Sequence, residues 1–212
     1  MSLEPPLLFD LDGTLVDSLP DIAASVNHVR AAFSLPNLPV ADVRGMVGDG
    51  LTKLLQRALP SGNEDDLRRA KQIYRAHHLD QCIRLVRPFP GVIAHLQHFH
   101  ALGWPMAVVT NKSAVFAARM LDVLGLRPYL PVLVDGESVA KKPSPEPCQR
   151  ALHELGATPG QGTMIGDGVQ DLRAGKAAGL RTVAVLYGYR DARVLRAEGA
   201  DQYWTAFGEP ER

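Results

Sequence analysis

The sequence has little of what marks several large classes of protein. Its 212 residues include only two cysteines, Cys82 and Cys148. They form no CxxC pair and are too few for a four-ligand zinc site, so both read as free thiols in a reducing compartment. Neither sign of charge is in surplus, with 23 Lys plus Arg against 23 Asp plus Glu. Without a basic excess or stripe, a nucleic-acid partner is not expected. No run approaches the ~20 apolar residues that span a bilayer, which argues against a membrane partner. The start Met1-Ser2-Leu3-Glu4 carries neither the basic nor the apolar region of a signal peptide, and the expectation is a cytoplasmic protein. Internal repeats and low-complexity tracts are also lacking. What is present is a 46% hydrophobic fraction, ordinary for a globular chain, in a length suited to one large domain or a core with a smaller insert.

Five short apolar runs stand out: Leu7-Leu8-Phe9, Met106 to Val109, Val132-Leu133-Val134, Thr163-Met164-Ile165 and Thr182 to Leu186. None alternates apolar with polar residues, which is the signature of strands buried on both faces of a parallel sheet. Between them lie helical patterns closed by glycine, such as Val92, Ile93, Leu96, Phe99 and Leu102 before Gly103. Strand–helix alternation with short loops implies right-handed βαβ units, hence an α/β fold with a doubly wound, Rossmann-like parallel sheet. Residues 18–86 break the rhythm. They show no strand but three amphipathic stretches, at ~20–33, ~42–59 and ~64–85, punctuated by Pro36, Pro39 and Pro60-Ser61-Gly62-Asn63. The expected organisation is a core of residues 1–17 plus 87–212 and an all-helical insert of residues 18–86, joined by two crossings that suit a lid.

The segment Phe9-Asp10-Leu11-Asp12-Gly13-Thr14 carries the strongest chemical signal. A buried strand runs straight into two carboxylates two residues apart, which would lie on one face if the strand continued. Like charges that close repel unless a cation sits between them, and magnesium, a hard ion that takes carboxylates plus substrate phosphate, fits the pair. Three more strand ends repeat the theme. Val109 leads into Thr110-Asn111-Lys112, whose hydroxyl and amide suit phosphate oxygens but also suit an ordinary helix cap. Lys141-Lys142-Pro143 places a cation where a helix opens, against the dipole. Ile165 leads into Gly166-Asp167-Gly168-Val169-Gln170-Asp171, with two acids about one helical turn apart. In open α/β sheets ligands bind beyond the carboxyl ends of the strands, so Asp10, Thr110, Lys142 and Asp167 are expected to meet at one edge.

Taken in order, Asp10-x-Asp12-Gly-Thr14, Thr110-Asn111, Lys142-Pro143 and Gly166-Asp167-x-x-x-Asp171 resemble the four motifs of the haloacid dehalogenase superfamily. The insert resembles that superfamily's C1 cap. Val47-Gly48-Asp49-Gly50, Lys141-Lys142-Pro143, Tyr187-Gly188-Tyr189 and Gly199-Ala200-Asp201 extend the likeness to the bacterial phosphoglycolate phosphatase branch. One departure is visible: Gly168 and Gln170 stand where serine and asparagine are frequent in the fourth motif.

The resemblance implies a phosphomonoester hydrolase with Asp10 as nucleophile, Asp12 as general acid and base, and an aspartyl-phosphate intermediate. It implies Mg2+ held by Asp10, Asp12 through its backbone carbonyl, and Asp167. Lys142 with Thr110 and Asn111 would bind the phosphoryl oxygens, and Asp171 would orient Lys142 or a metal-bound water. The implied partner is a small phosphoester, foremost 2-phosphoglycolate, for a monomer or homodimer. A sugar phosphate, pyrophosphate, a phosphomutase reaction or a non-catalytic phosphate-binding role are the alternatives. A carboxylate-bearing substrate asks the cap for a cation, and Arg44, Lys53, Arg75, His77 and His78 are the candidates there.

Overall fold

The computed structural model describes residues 3–60 and 63–211, so Ser61 and Gly62 of the expected interhelical turn lie outside the described residues. The chain runs through β1 (Leu7–Phe9) and β2 (Val16–Asp17) into four helices, α1 (Leu19–Ala32), α2 (Val40–Arg44), α3 (Leu51–Ala58) and α4 (Glu64–Gln81). It returns through β3 (Arg87–Pro88), α5 (Val92–Ala101), β4 (Met106–Val109), α6 (Ala114–Val123) and β5 (Val132–Val134). The last third is α7 (Glu146–Glu154), β6 (Thr163–Gly166), α8 (Val169–Ala177), β7 (Arg181–Val185), α9 (Ala192–Glu198), β8 (Gln202–Ala206) and β9 (Glu209–Pro210).

The main sheet has the order β5-β4-β1-β6-β7-β8-β9, and every pair is parallel except β8 with β9. This is the expected doubly wound α/β architecture. At its centre β1 pairs with β4 and β6, and Leu7, Leu8 and Phe9 are fully buried. Their side chains alternate between faces as the strand period requires. Leu7 and Phe9 join a core built with Leu96, Phe116 and Met120 of α5 and α6, while Leu8 joins Cys148, Leu152 and Ala174 of α7 and α8. Burying each such side chain contributes ~1.5–3 kcal/mol, which anchors the residue that follows Phe9. Strand order reverses beside β1, so the switch point of the sheet falls at that strand's carboxyl end.

The four helices between β2 and β3 depart from expectation at one place. The single stretch expected at ~42–59 is two helices, α2 and α3, with Gly45 to Gly50 between them. Gly48 and Gly50 have φ of +117° and +82°, which a right-handed helix does not accept. On the other side of the bundle, buried Asp21 of α1 accepts from Gln81 Nε2 (2.7 Å) and Leu85 N (3.0 Å), tying α1 to the chain as it leaves α4. The two crossings pair with each other, Val16 opposite Pro88 and Asp17 opposite Arg87. Two residues a side are too few to show in a sequence pattern. Among the described residues no helix is long and apolar enough to cross a membrane.

Candidate active site

The chain leaves β1 at Phe9, and the Asp10 N–H extends the ladder by one bond to Ile165 O (2.9 Å). It then turns: the Thr14, Leu15 and Val16 N–H groups all donate to Leu11 O at 3.0–3.3 Å. Gly13 sits at φ +84°, and a Cβ there would lie 2.3 Å from Asp167 Oδ2, so position 13 must be glycine for the first and fourth motifs to touch. Asp10 is left 6% exposed, with its Oδ1 accepting from Lys142 Nζ at 2.9 Å. The ammonium also donates to Val109 O at 2.5 Å and lies 2.6 Å from Asp171 Oδ1, an ion pair whose angle does not make a hydrogen bond. Asp171 Oδ2 accepts from Gly168 N at 2.9 Å. One carboxylate therefore caps α8 with one oxygen and fixes Lys142 with the other. Asp167 Oδ2 accepts from Tyr189 N (2.7 Å), and its Oδ1 from Thr14 Oγ1 (3.4 Å).

Asp10, Asp167 and Asp171 each offer an oxygen within 4.8 Å of the others. Three buried carboxylates thus cluster beside the Lys142 ammonium, which Asp10 and Asp171 contact directly. Burial pushes Asp10 up to about 7 and the Asp171 charge adds to that, while Lys142 opposes it. Asp167 is raised well above the carboxylate range, first by burial and then by the Asp10 and Asp171 charges. Burial alone would lower Lys142, but the Asp10 and Asp171 carboxylates outweigh it and hold the ammonium charged. The surplus of buried negative oxygen is what a hard divalent cation would neutralise, and the donor set fits Mg2+.

The remaining sequence candidates are placed as follows. The Asp12 carboxylate is turned away from the acidic cluster, because the strand ends at Phe9 and the period of two lapses in the turn. Its Oδ1 accepts from Ser18 Oγ (2.5 Å) and Lys112 Nζ (3.1 Å), and its Oδ2 from the same ammonium (3.0 Å). Thr110 is buried, and its Oγ1 accepts from Lys112 N at 3.2 Å. The Asn111 amide braces loops: its Nδ2 donates to Gly48 O and Lys142 O at 3.0 Å, and its Oδ1 accepts from Lys142 N at 2.9 Å. Asp10, Asp12, Thr110, Asn111 and Lys112 line a cavity of about 100 Å³ closed over by Val47, Gly48, Leu51 and Tyr74 of the helical layer. Sites for drug-sized ligands run to ~300–1,000 Å³, so this one suits a substrate of few heavy atoms.

The cation candidates of the helical layer fare unevenly. Arg44 and Lys53 are absent from the main cavity's lining; Arg44 instead donates to Tyr189 O (3.0 Å) and Gly188 O (2.5 Å) across the seam. Arg75 does line the cavity but is paired with Glu137, whose other oxygen accepts from Ser113 Oγ at 2.9 Å. The His77 and His78 Nδ1 atoms meet Ser25 Oγ at 3.0 and 2.8 Å within the helical layer, and burial pulls His78 down to about 2. Lys112, Ser18 and Tyr189 are the residues that the residue-type reading passed over. The Tyr189 hydroxyl accepts from Ser18 N (2.8 Å) and Leu19 N (3.0 Å) and donates to Asp17 Oδ1 (3.0 Å), pinning the crossing into α1. The only sequence signal for it was membership in Tyr187-Gly188-Tyr189.

The departure in the fourth motif has a steric basis. A Cβ on Gly168 would lie 2.3 Å from Gln170 Nε2, so the longer amide at 170 occupies the space that a serine at 168 would need.

Comparison with known proteins agrees with this geometry. The family model described as haloacid dehalogenase-like hydrolase matches residues 7–185. A plasmid phosphoglycolate phosphatase of Cupriavidus necator is 39% identical over 199 residues, covering 92% of this chain and 86% of that protein. A phosphoglycolate phosphatase of Neisseria meningitidis is 38% identical, covering 91% and 84%. The crystal structure of a predicted phosphoglycolate phosphatase from Haemophilus somnus superposes with a TM-score of 0.90 at 29% identity, covering 98% of this chain and 96% of that one.

Proposed function

The chain is a phosphatase of the haloacid dehalogenase-like hydrolase family, and from that premise we propose that it hydrolyses 2-phosphoglycolate to glycolate and phosphate, with Mg2+, through an aspartyl-phosphate on Asp10. In this reading residues 18–86 are the cap, and residues 1–17 with 87–212 are the core. The observation that carries it is the Asp10 carboxylate, held by Lys142 at 2.9 Å in the wall of a small cavity under the helical layer. The names of the relatives supply the substrate.

In the first half-reaction an Asp10 oxygen attacks phosphorus in line, the ester P–O bond breaks, and the leaving alkoxide takes a proton from Asp12. In the second, water attacks the acyl phosphate, gives its proton to Asp12, and phosphate leaves, freeing Asp10. Splitting the displacement in two lowers each barrier, and the positioned acid and base contribute ~10²–10⁴ in rate. Lys142, fixed by Asp171 and Val109 O, orients Asp10 and presents positive charge to the phosphoryl oxygens, with the Thr110 hydroxyl beside it. Asn111 holds the Lys142 loop against Gly48. Asp10, Asp167 and the Asp12 backbone carbonyl would hold the metal. When bound, it supplies charge that offsets the repulsion between carboxylate and phosphate.

The test is Mg2+-dependent phosphate release across 2-phosphoglycolate, hexose phosphates, nucleotides and pyrophosphate, compared by kcat/KM. Phosphoglycolate is expected to lead, with turnover abolished in a folded Asp10→Asn variant. Another substrate leading by tenfold would overturn the substrate assignment, and near wild-type turnover of Asp10→Asn would overturn the mechanism.

A further inference from the structure

Lys112 ends the loop after β4, and its side chain is only 8% exposed. An ammonium so placed needs partners. Among the described residues its side chain has one, Asp12, which it reaches with both carboxylate oxygens at 3.0–3.1 Å. Asp12 is fixed from its other side by Ser18. Two of the three ammonium N–H groups are thereby directed at Asp12, and Lys112 lines the cavity, so donor capacity remains toward a ligand.

If Asp12 protonates the leaving oxygen, that oxygen lies one hydrogen bond away, ~2.7 Å. In a 2-phospho acid the carboxylate carbon is only two bonds, each about 1.5 Å, from the same oxygen. The substrate carboxylate must therefore fall within a few ångströms of Asp12. It would meet the Asp10 charge there unless a cation stood between them. Among the described residues Lys112 is the basic side chain whose charged group reaches Asp12. Arg44 and Arg190 border Asp12 only in a separate, smaller cavity, where Arg44 is held by Gly188 O; Lys53 lines neither cavity, and Arg75 is held by Glu137. Lys71 and Lys141 line the main cavity without contact to Asp12.

We infer that Lys112 is the receptor for the substrate's carboxylate, bridging it to Asp12, so that the core loop rather than the cap selects short 2-phospho acids. The inference rests on the phosphoglycolate reading above. A ratio of two substrates tests it: kcat/KM for 2-phosphoglycolate over that for ethyl phosphate, which has the same chain length and poor leaving group but no carboxylate. The wild-type ratio should be at least ~100, and Lys112→Met should lower it about 30-fold or more, the factor that a lost charge-assisted hydrogen bond gives. Lys112→Arg keeps a cation and should hold the ratio within about fivefold of wild type. Lys53→Met, outside the cavity, should leave it unchanged. A high wild-type ratio that survives Lys112→Met, with both substrates falling together, overturns the inference and leaves Lys112 as a positioning residue for Asp12. The same ratio surviving in Lys112→Arg but not in Lys112→Met supports it even if the methionine variant is less stable. A wild-type ratio near 1 overturns the substrate reading itself.

Discussion

Replacing Asp10 by asparagine should make the metal-free protein more stable at neutral pH. Asp10 is 6% exposed and clusters with two other buried carboxylates beside the Lys142 ammonium, and burial raises it from 3.8 to about 7. Because its folded-state pKa lies above the unfolded value, the folded protein holds an extra proton between about pH 4 and 7. Stability from this group therefore falls as pH rises through that window and stays low above it. At ~1.4 kcal/mol per pH unit, the gap between 3.8 and about 7 sets a ceiling of about 4 kcal/mol on the penalty for ionised Asp10 at pH 8. Asp10→Asn removes the charge but buries an amide with its own desolvation cost, so about half the ceiling, ~2 kcal/mol, is the expected gain. For a chain of this size that is a rise of about 4–8 °C in Tm. The assay is thermal unfolding followed by circular dichroism, in chelator, for wild type and Asp10→Asn at pH 5, 6, 7 and 8. The two should differ little at pH 5, where wild-type Asp10 is protonated, diverge as pH rises to about 7, and keep that difference at pH 8. An Asp10→Asn protein less stable than wild type at pH 8, or a difference that does not change with pH, would refute the reasoning.

Three further outcomes follow from the same site. Metal ligands must be deprotonated, and burial raises both Asp10 and Asp167, so Mg2+ binding at the proposed site should release protons. Its apparent Kd by titration calorimetry should rise at least ~10-fold per pH unit as pH falls below about 7, and a flat profile from pH 8 to 5.5 would contradict the charge balance. Glu137→Gln loosens the exposed Arg75 pair between α4 and the core loop, a contact worth ~0.2–1 kcal/mol. KM should rise by no more than about fivefold with Tm almost unchanged, and the difference should shrink in 0.5 M salt; a larger loss of kcat than of affinity would count against a latch. Gly168→Ser crowds the Gln170 amide and should lower kcat/KM several-fold, about 1 kcal/mol. Adding Gln170→Asn should restore most of it, a coupling of at least ~0.5 kcal/mol in a double-mutant cycle, and simple additivity would refute the steric account.

The parts of the fold legible in the sequence are those in which burial leaves a mark on a local pattern. β1, β4, β6 and β7 are buried on both faces and appear as apolar runs, β5 at the sheet edge keeps a short apolar run though only Val134 is fully buried, and Asp10, Thr110, Lys142 and Asp167 were legible because each rides just beyond a strand or helix boundary that the pattern marks. β8, Gln-Tyr-Trp-Thr-Ala, has no such run because three of its five side chains are only partly buried and one is exposed. The break between α2 and α3 was masked by Met46 and Val47, which keep helical spacing while Gly48 and Gly50 adopt positive φ.

The contacts that escaped notice share a different property. Lys112 with Asp12, Tyr189 with Ser18 and Leu19, and Arg75 with Glu137 span sequence separations of 100, 171, 170 and 62 residues. None lies on the periodic face of an element. Lys112 with Asp12 joins two loops at the sheet edge and the others cross the seam to the helical layer, so all exist only once distant segments have packed, which is decided by many weak terms that no short window of sequence displays. Phosphoryl chemistry rides on the sheet edge, so it was readable early. In the proposed reading, selection of the leaving group depends on contacts between distant segments: Lys112 reaches Asp12 from one core loop to another, while Val47, Gly48 and Leu51 line the cavity from the helical layer. That is why the sequence pointed to phosphate transfer through Asp10, yet sought the carboxylate's partner among Arg44, Lys53, Arg75, His77 and His78, of which Arg75 lines the main cavity, paired with Glu137.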